Sequence, residues 1–128
     1  MRIISIVGLF VAGVIHLLPI PGVMGASQLT LLYGIEVSDP NVAILLQHRA
    51  LLFGVLGGLM LSGIVLPRLR IPALVVGLCS AASFIGVALA VRGYNASIHR
   101  VMTADVLATI LLAAGLAAEV RLLARRGH

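Results

Sequence analysis

The sequence predicts an all-α integral membrane protein, a four-helix bundle that forms a single domain. Of its 128 residues, 61% are hydrophobic and 10% are charged, and the mean hydropathy is +1.19. A soluble domain has about 25% charged residues. Four apolar segments, at residues 3–18, 41–66, 72–91 and 97–123, approach or exceed the length of about 20 residues that a transmembrane helix needs. We therefore expect one multi-pass transmembrane domain over residues 1–128.

The arginines predict how these helices are oriented. The chain has nine basic residues, all arginine, and a net charge of +5. Most of them flank helix ends that would share one face of the membrane: Arg2, Arg68, Arg70, Arg121, Arg125 and Arg126. Basic residues concentrate in cytoplasmic loops. We therefore expect both termini, and a tight turn at residues 67–72, on the cytoplasmic side of a bacterial inner membrane, and we expect no nucleic acid partner.

The first helix ends at Pro19, which removes a backbone donor. Gly8, Ala12 and His16 fall on one helical face, as a packing surface would. A signal peptide is the alternative, because an apolar run after a basic N-terminus and before small residues has the same outline. We prefer a retained helix because His16 lies within the apolar run.

Residues 22–38 connect the first helix to the second and are half apolar. Gly34 is placed to end a short helix in this segment. Such an amphipathic segment lies in the outer interface or folds back over the bundle, and Tyr33 would anchor it at headgroup level. Asp39 and Pro40 then have the residue types of an N-cap and a first helical position, which predicts the start of the second helix.

Small residues predict close helix packing. The second helix has Ala50, Gly54, Gly58 and Ser62 at intervals of four, a ridge that lets another backbone approach. The third helix repeats the pattern from Gly77. The ridge could pack against another helix of the same bundle. Alternatively, it could form an interface with a second copy of the chain or with a partner in a membrane complex.

Ionisable side chains lie inside these apolar helices, where each is expected to be functional or paired. Counted from Pro40 and Ser97, Arg49 and Asp105 lie about 13 Å below the outer helix ends, at about 1.5 Å per residue. An ion pair between Arg49 on the second helix and Asp105 on the fourth would satisfy both charges.

We expect a polar pocket in the outer half of the bundle. Its candidate residues are His48 and Asp105 as acid/base groups, with Arg49, Arg100, Glu36, Tyr33, His16 and His99 as ligand-binding groups. Adjacent helical residues point about 100° apart, so these side chains cannot all converge. His16 and His99 are therefore second choices. Each histidine is on a different segment, so no metal site is predicted.

An arginine-rich pocket open to lipid suits a lipophile with a polar or anionic head, such as a quinone, a prenyl compound or a membrane lipid. A histidine there could exchange protons with it. The alternative is a structural or accessory subunit whose His, Arg and Asp groups only pin helices together. A transporter is less favoured, because one copy has no broken mid-membrane helix or inverted repeat. The residues point to no particular cofactor.

Several segments together resemble a group of small four-helix bacterial membrane proteins, loosely similar to the DoxX-like families. They are LLYG at 31–34, DP at 39–40, HRALLFG at 48–54, GYN at 93–95, and residues 100–105. The resemblance covers most of the chain, and HRALLFG is its most specific part. It implies the four-helix fold, and DoxX-like proteins suggest an association with quinone-linked redox systems. Members of the group often bear the automated label phosphopantetheine adenylyltransferase. That soluble enzyme needs a His-x-Gly-His motif on an α/β fold, and this sequence has no such motif.

Overall fold

A computed structural model describes residues 1–127, which form helices and short connections. The elements are α1 (Arg2–Leu17), a 3₁₀ segment (Ile20–Met24), α2 (Ala26–Tyr33), α3 (Pro40–Val65), α4 (Pro67–Val91) and α5 (Ala96–Arg126). Four helical spans are long and apolar enough to cross a membrane: α1 with the 3₁₀ segment, α3, α4 and α5. The predicted all-α, four-helix, multi-pass architecture is confirmed.

The four long helices stand at the corners of a square. α1 packs against α3 and α5, and α4 packs against the same two helices. α3 and α5 therefore occupy opposite corners, as do α1 and α4. We call the end that holds residues 1, 66 and 127 the terminal end, and the end that holds residues 18–39 and 92–95 the loop end.

The closest backbone approaches occur where α1 meets its neighbours. A Cβ added at Gly8 would lie 2.8 Å from the carbonyl oxygen of Leu111 in α5. A Cβ added at Gly57 in α3 would lie 2.9 Å from the carbonyl oxygen of Gly13 in α1. Such contacts are possible only for glycine, and close packing of this kind stabilises helices in lipid, where the hydrophobic effect between helices is absent.

The small-residue ridge predicted on α3 is only partly used. Ala50 is buried, and a Cβ at Gly54 would meet Ile20 of the 3₁₀ segment at 3.2 Å. Gly58 is exposed, with nothing within 4 Å of an added Cβ. The tight contact with α1 is made instead by Gly57, which is not part of the predicted ridge.

The start of α4 differs from the prediction. Pro67 is the first residue of the helix, so the expected turn at 67–72 is its first turn and the link to α3 is Leu66 alone. Arg70, predicted to flank a helix end on the cytoplasmic side, is buried. Its side chain donates to the carbonyls of Gly63 and Ile64 at 3.3 and 3.2 Å, and its Nη1 lies 3.6 Å from Glu119 Oε1. Arg70 thus satisfies carbonyls at the end of α3 that have no partner within that helix.

Residues 22–38 fold back over the bundle at the loop end. Gly34 ends α2 at φ 65°, as predicted. Tyr33 is buried with Leu29 and Val37 rather than anchored at headgroup level. Asn95 accepts from Ile98 N at 2.9 Å as the N-cap of α5, and donates to the carbonyl oxygen of Tyr33 at 2.8 Å. The two loop-end connections are therefore tied together above α1.

Candidate functional site

Contacts between helices give the height of each polar side chain in the bundle. Ser5 Oγ donates to the carbonyl oxygen of Gly115 at 3.1 Å, which sets the register of α1 against the antiparallel α5. Eleven residues further along α1, His16 is therefore level with Ala104 and Asp105. The His16 ring lies 5.1 Å from the Phe53 ring of α3, centroid to centroid. These residues form one layer across the bundle.

This layer lies near the middle of α3 and α4. Phe53 is halfway along α3, and Ser80, which hydrogen-bonds to His16, is halfway along α4. α1 is the shortest of the four long helices, so its last turn reaches only this level, and the loop segment fills the space above it. His16 is thus deeper than the sequence suggested. We call His16, Arg49, Ser80 and Asp105 the polar layer.

His16 is fully hydrogen-bonded inside the bundle. Its Nδ1 lies 2.8 Å from the carbonyl oxygen of Ala12, and a carbonyl only accepts, so Nδ1 holds a proton and donates it. In the neutral ring, Nε2 then accepts from Ser80 Oγ at 3.0 Å. The side chain is 1% exposed. Because this bond joins α1 to α4, it runs along a diagonal of the square.

Arg49 is held by aromatic rings. Its Nη1 donates to the Tyr33 hydroxyl at 2.9 Å. Its Cζ lies 4.6 Å from the ring centroid of Phe53, 5.0 Å from that of Phe84 and 5.4 Å from that of Tyr33. Cation–π contacts of this kind contribute about 0.5–2 kcal/mol each. The one hydrogen bond leaves four of the five guanidinium N–H donors without a partner in residues 1–127.

The predicted ion pair between Arg49 and Asp105 is not formed. Within residues 1–127 the sole ion pair is between Arg70 and Glu119. α3 and α5 stand at opposite corners, and the bond between His16 and Ser80 crosses the other diagonal. Asp105 is 3% exposed, and no side chain or backbone donor in the described residues bonds to its carboxyl group.

The other predicted site residues lie outside this layer. His48 and Glu36 are exposed and form no side-chain hydrogen bond within residues 1–127. Arg100 is exposed and bonds only to a serine of its own helix, at 3.2 Å. His99 is exposed, and its ring stacks on Tyr94 at 6.1 Å between centroids. The structure therefore gathers Tyr33, Arg49, His16 and Asp105. His48, Glu36 and His99 lie apart from them, and Arg100 meets only Tyr33, at a small pocket.

A groove of about 450 Å³ separates α3 from α4 in the half of the bundle nearer the loop end. We call it the α3–α4 groove. It is lined by Arg49, Leu52, Phe53, Leu56, Ser80, Ser83, Phe84 and Val87. Ser83 Oγ donates to the carbonyl oxygen of Ser80 at 3.0 Å. Three polar side chains thus border a groove whose other walls are leucine, valine and phenylalanine.

Sequence reasoning missed several residues of this groove. Phe53 follows Arg49 by four residues, and this spacing places two side chains on the same helical face. The HRALLFG segment alone could therefore have predicted that Phe53 lies beside Arg49. Phe84, Ser80 and Ser83 are on another helix, and no local pattern connects them with Arg49. Tyr33 was selected both as an anchor at the membrane surface and as a ligand-binding residue; it does not line the groove, but its hydroxyl accepts from Arg49, which does.

A smaller pocket of about 200 Å³ lies between α1, α2 and α5. Tyr33, Arg100 and Ala104 are among its lining residues. The Tyr33 ring borders this pocket, while its hydroxyl accepts from Arg49. Within residues 1–127 no group of three or more His, Cys, Asp or Glu side chains is arranged to hold a metal ion.

No protein-family model, curated protein or solved structure matches this chain.

Proposed function

We propose that this protein is a multi-pass protein of the bacterial inner membrane that binds a lipophile with a polar head in the α3–α4 groove. Quinones, prenyl compounds and membrane lipids are the classes considered. The loop end would face outward and the terminal end the cytoplasm, in line with the arginines at residues 2, 68, 121, 125 and 126. A relationship to the DoxX-like families is part of the same proposal.

The observation that supports this function best is the state of Arg49. A guanidinium at mid-membrane depth is costly and is found paired or facing a cavity. Arg49 has no carboxylate within ion-pairing distance and borders the α3–α4 groove. Its free N–H donors can bind the oxygen atoms of a ligand head, and the aromatic rings of Phe53 and Phe84 hold the guanidinium in place.

The walls of the groove suit the apolar part of such a ligand. Its volume of about 450 Å³ falls in the range of about 300–1,000 Å³ typical of small-molecule sites. Leu52 and Val87 on its rim are exposed on the outside of the bundle, so a chain can enter from the lipid. Ser80 donates to His16, which leaves the Ser80 oxygen lone pairs free to accept from a ligand hydroxyl.

Acid/base chemistry finds less support in the groove than binding does. His48, the predicted acid/base group, does not line it. His16 reaches it only through Ser80, with both ring nitrogens already hydrogen-bonded. Binding is therefore the function that we propose, without a reaction.

The test is to purify the protein in mild detergent and identify co-purifying lipophiles by native mass spectrometry and lipid extraction. We expect a bound species in the wild type. Arg49→Gln should lose it, whereas Arg92→Gln, at an exposed position of the loop end, should retain it. Ser83→Leu, which fills the groove, should also lose it, whereas Gly86→Leu, on the open face of α4, should retain it. Equal retention in all four variants would refute the proposal.

A structural or accessory role is the second candidate, favoured by the hydrogen bond from Arg49 to Tyr33. That bond pins α2 to α3. The exposed face of α3 around Gly58 and Ser62 would then be the surface for another membrane protein or a second copy. On this reading Arg49→Gln lowers the stability of the bundle and no lipophile co-purifies with the wild type.

A further inference from the structure

A chain of two hydrogen bonds fixes where the hydroxyl proton of Ser80 points. Nδ1 of His16 lies 2.8 Å from the carbonyl oxygen of Ala12, which only accepts, so Nδ1 holds the ring proton. In the neutral ring Nε2 then has a lone pair and no proton. Ser80 Oγ, 3.0 Å from Nε2, is therefore the donor of that bond.

The His16 ring is neutral at this place in the bundle. Its side chain is 1% exposed, and no carboxylate of residues 1–127 lies within 4 Å of it. A charged imidazolium buried without a counter-ion would be costly. Because the neutral ring cannot donate from Nε2, Ser80 keeps its proton turned toward His16 and away from the α3–α4 groove.

The two walls of the groove consequently have opposite hydrogen-bonding character. On α4, the hydroxyl protons of both serines are already used, that of Ser80 by His16 and that of Ser83 by the carbonyl oxygen of Ser80 at 3.0 Å. Their oxygens can only accept. On α3, the half-buried guanidinium of Arg49 can only donate. The groove thus has acceptors on one wall and donors on the other.

We infer that the ligand head has at least one O–H or N–H donor beside its oxygen acceptor, an inference that rests on the proposed binding in the groove. The acceptor takes a hydrogen bond from Arg49, and the donor gives one to Ser80. Alcohols, primary amides and hydroxylated lipid heads meet this requirement. Esters, ethers and oxidised quinones, which only accept, do not. The inference therefore narrows the ligand classes considered above.

His16 acts in this selection as a positioning residue. It does not line the groove, but it decides whether Ser80 offers the ligand a lone pair or a proton. A head that only accepts would turn its own lone pairs toward those of Ser80. The remaining walls are leucine, valine and phenylalanine, so they supply no substitute partner. One net hydrogen bond corresponds to a preference of about tenfold.

The experiment compares two uncharged probes, dodecanamide and methyl undecanoate. They have the same number of non-hydrogen atoms and each has a carbonyl for Arg49, but only the amide has N–H donors. The full chain in phosphatidylcholine nanodiscs is incubated with both probes, and the bound amounts are measured by extraction and mass spectrometry. Empty nanodiscs correct for partition into the bilayer. We expect the protein to bind the amide about tenfold more tightly than the ester.

Two variants test the hydrogen-bond direction from opposite sides. In His16→Leu the Ser80 proton is released, so the ester should gain affinity and the preference should disappear. In Ser80→Ala the acceptor itself is removed, so the amide should lose affinity instead. Thr103→Ala removes an exposed hydroxyl bonded to a carbonyl of α5, outside the groove, and should keep the wild-type preference. Circular dichroism confirms that each variant is folded.

The outcomes separate this inference from the proposed function. Equal binding of amide and ester by the wild type, with both lost in Ser83→Leu, would overturn the donor requirement and leave the groove as a binding site. A preference that persists in folded His16→Leu, or in Ser80→Ala if that His16 variant does not fold, would overturn the selection through Ser80. Binding of both probes that is unchanged in Arg49→Gln and Ser83→Leu would refute the groove itself.

Discussion

The packing of α1 against α3 makes opposite predictions for two adjacent glycines. A methyl group added at Gly57 would lie 2.9 Å from the carbonyl oxygen of Gly13 and 2.8 Å from Leu17 Cδ2. Non-bonded heavy atoms pack best at about 3.5–4.0 Å. The Leu17 side chain can rotate, but the backbone carbonyl of Gly13 cannot, so α1 must move. At Gly58 the same methyl group would meet nothing within 4 Å.

The two substitutions should affect the free energy of unfolding in the same way except for this clash. Gly57→Ala and Gly58→Ala are on the same helix, and each removes the helix-propensity penalty of glycine, about 1 kcal/mol. The difference in their free energies of unfolding therefore reports the overpacking alone, which costs about 1–3 kcal/mol. We expect Gly58→Ala to be as stable as the wild type or more so, and Gly57→Ala to be less stable than Gly58→Ala by that amount.

The assay is reversible unfolding in mixed micelles with increasing dodecyl sulfate, followed by circular dichroism. Gly13→Ala provides an internal ranking: its methyl group would meet the Leu61 side chain at 3.0 Å and the Gly57 carbonyl oxygen at 3.4 Å, so it should cost less than Gly57→Ala. If Gly57→Ala and Gly58→Ala are equally stable, α1 and α3 do not approach each other as closely as described.

Three further predictions use the same unfolding assay. Ser80→Ala should cost about 1–3 kcal/mol because it leaves Nε2 of a buried histidine unsatisfied, whereas Ser83→Ala, at an exposed hydroxyl, should change stability by less than about 0.5 kcal/mol; equal losses would contradict this. Arg70→Met should cost about 3 kcal/mol because it strands the Glu119 carboxylate, and the double variant Arg70→Met/Glu119→Leu should recover much of that loss. A double variant no more stable than the single one would show that the ion pair is not the cause. Asn95→Ala should cost about 1–2 kcal/mol through the lost cap of α5, and an unchanged stability would argue against that cap.

The membrane-spanning helices were predictable because each depends on residues close together in the chain. Hydropathy over about 20 residues is a local property, and so are the caps that begin α3 at Asp39 and end α2 at Gly34. The start of α4 was misjudged because Pro67 and Pro72 were interpreted as a turn. A proline is tolerated at the first position of a helix, and α4 accommodates the second one near its start.

The candidate site was predictable only in part. Arg49 and Asp105 were selected as ionisable groups inside apolar helices; the structure buries Asp105 and leaves Arg49 half-buried beside the α3–α4 groove. Ser80 as the partner of His16, and Glu119 as the partner of Arg70, could not be identified. Those pairs join helices that are far apart in the chain, and no spacing within either helix encodes them.

Composition and local pattern alone determined that the chain is α-helical with four apolar spans, and gave the approximate position of each span and of the polar residues along it. Residue height follows from the constant rise of about 1.5 Å per residue. The order of the helices around the bundle depends on which faces pack most closely, and only the tertiary structure decided it. That order places α3 and α5 at opposite corners, so Arg49 is left facing a groove and Asp105 is left without an ion pair.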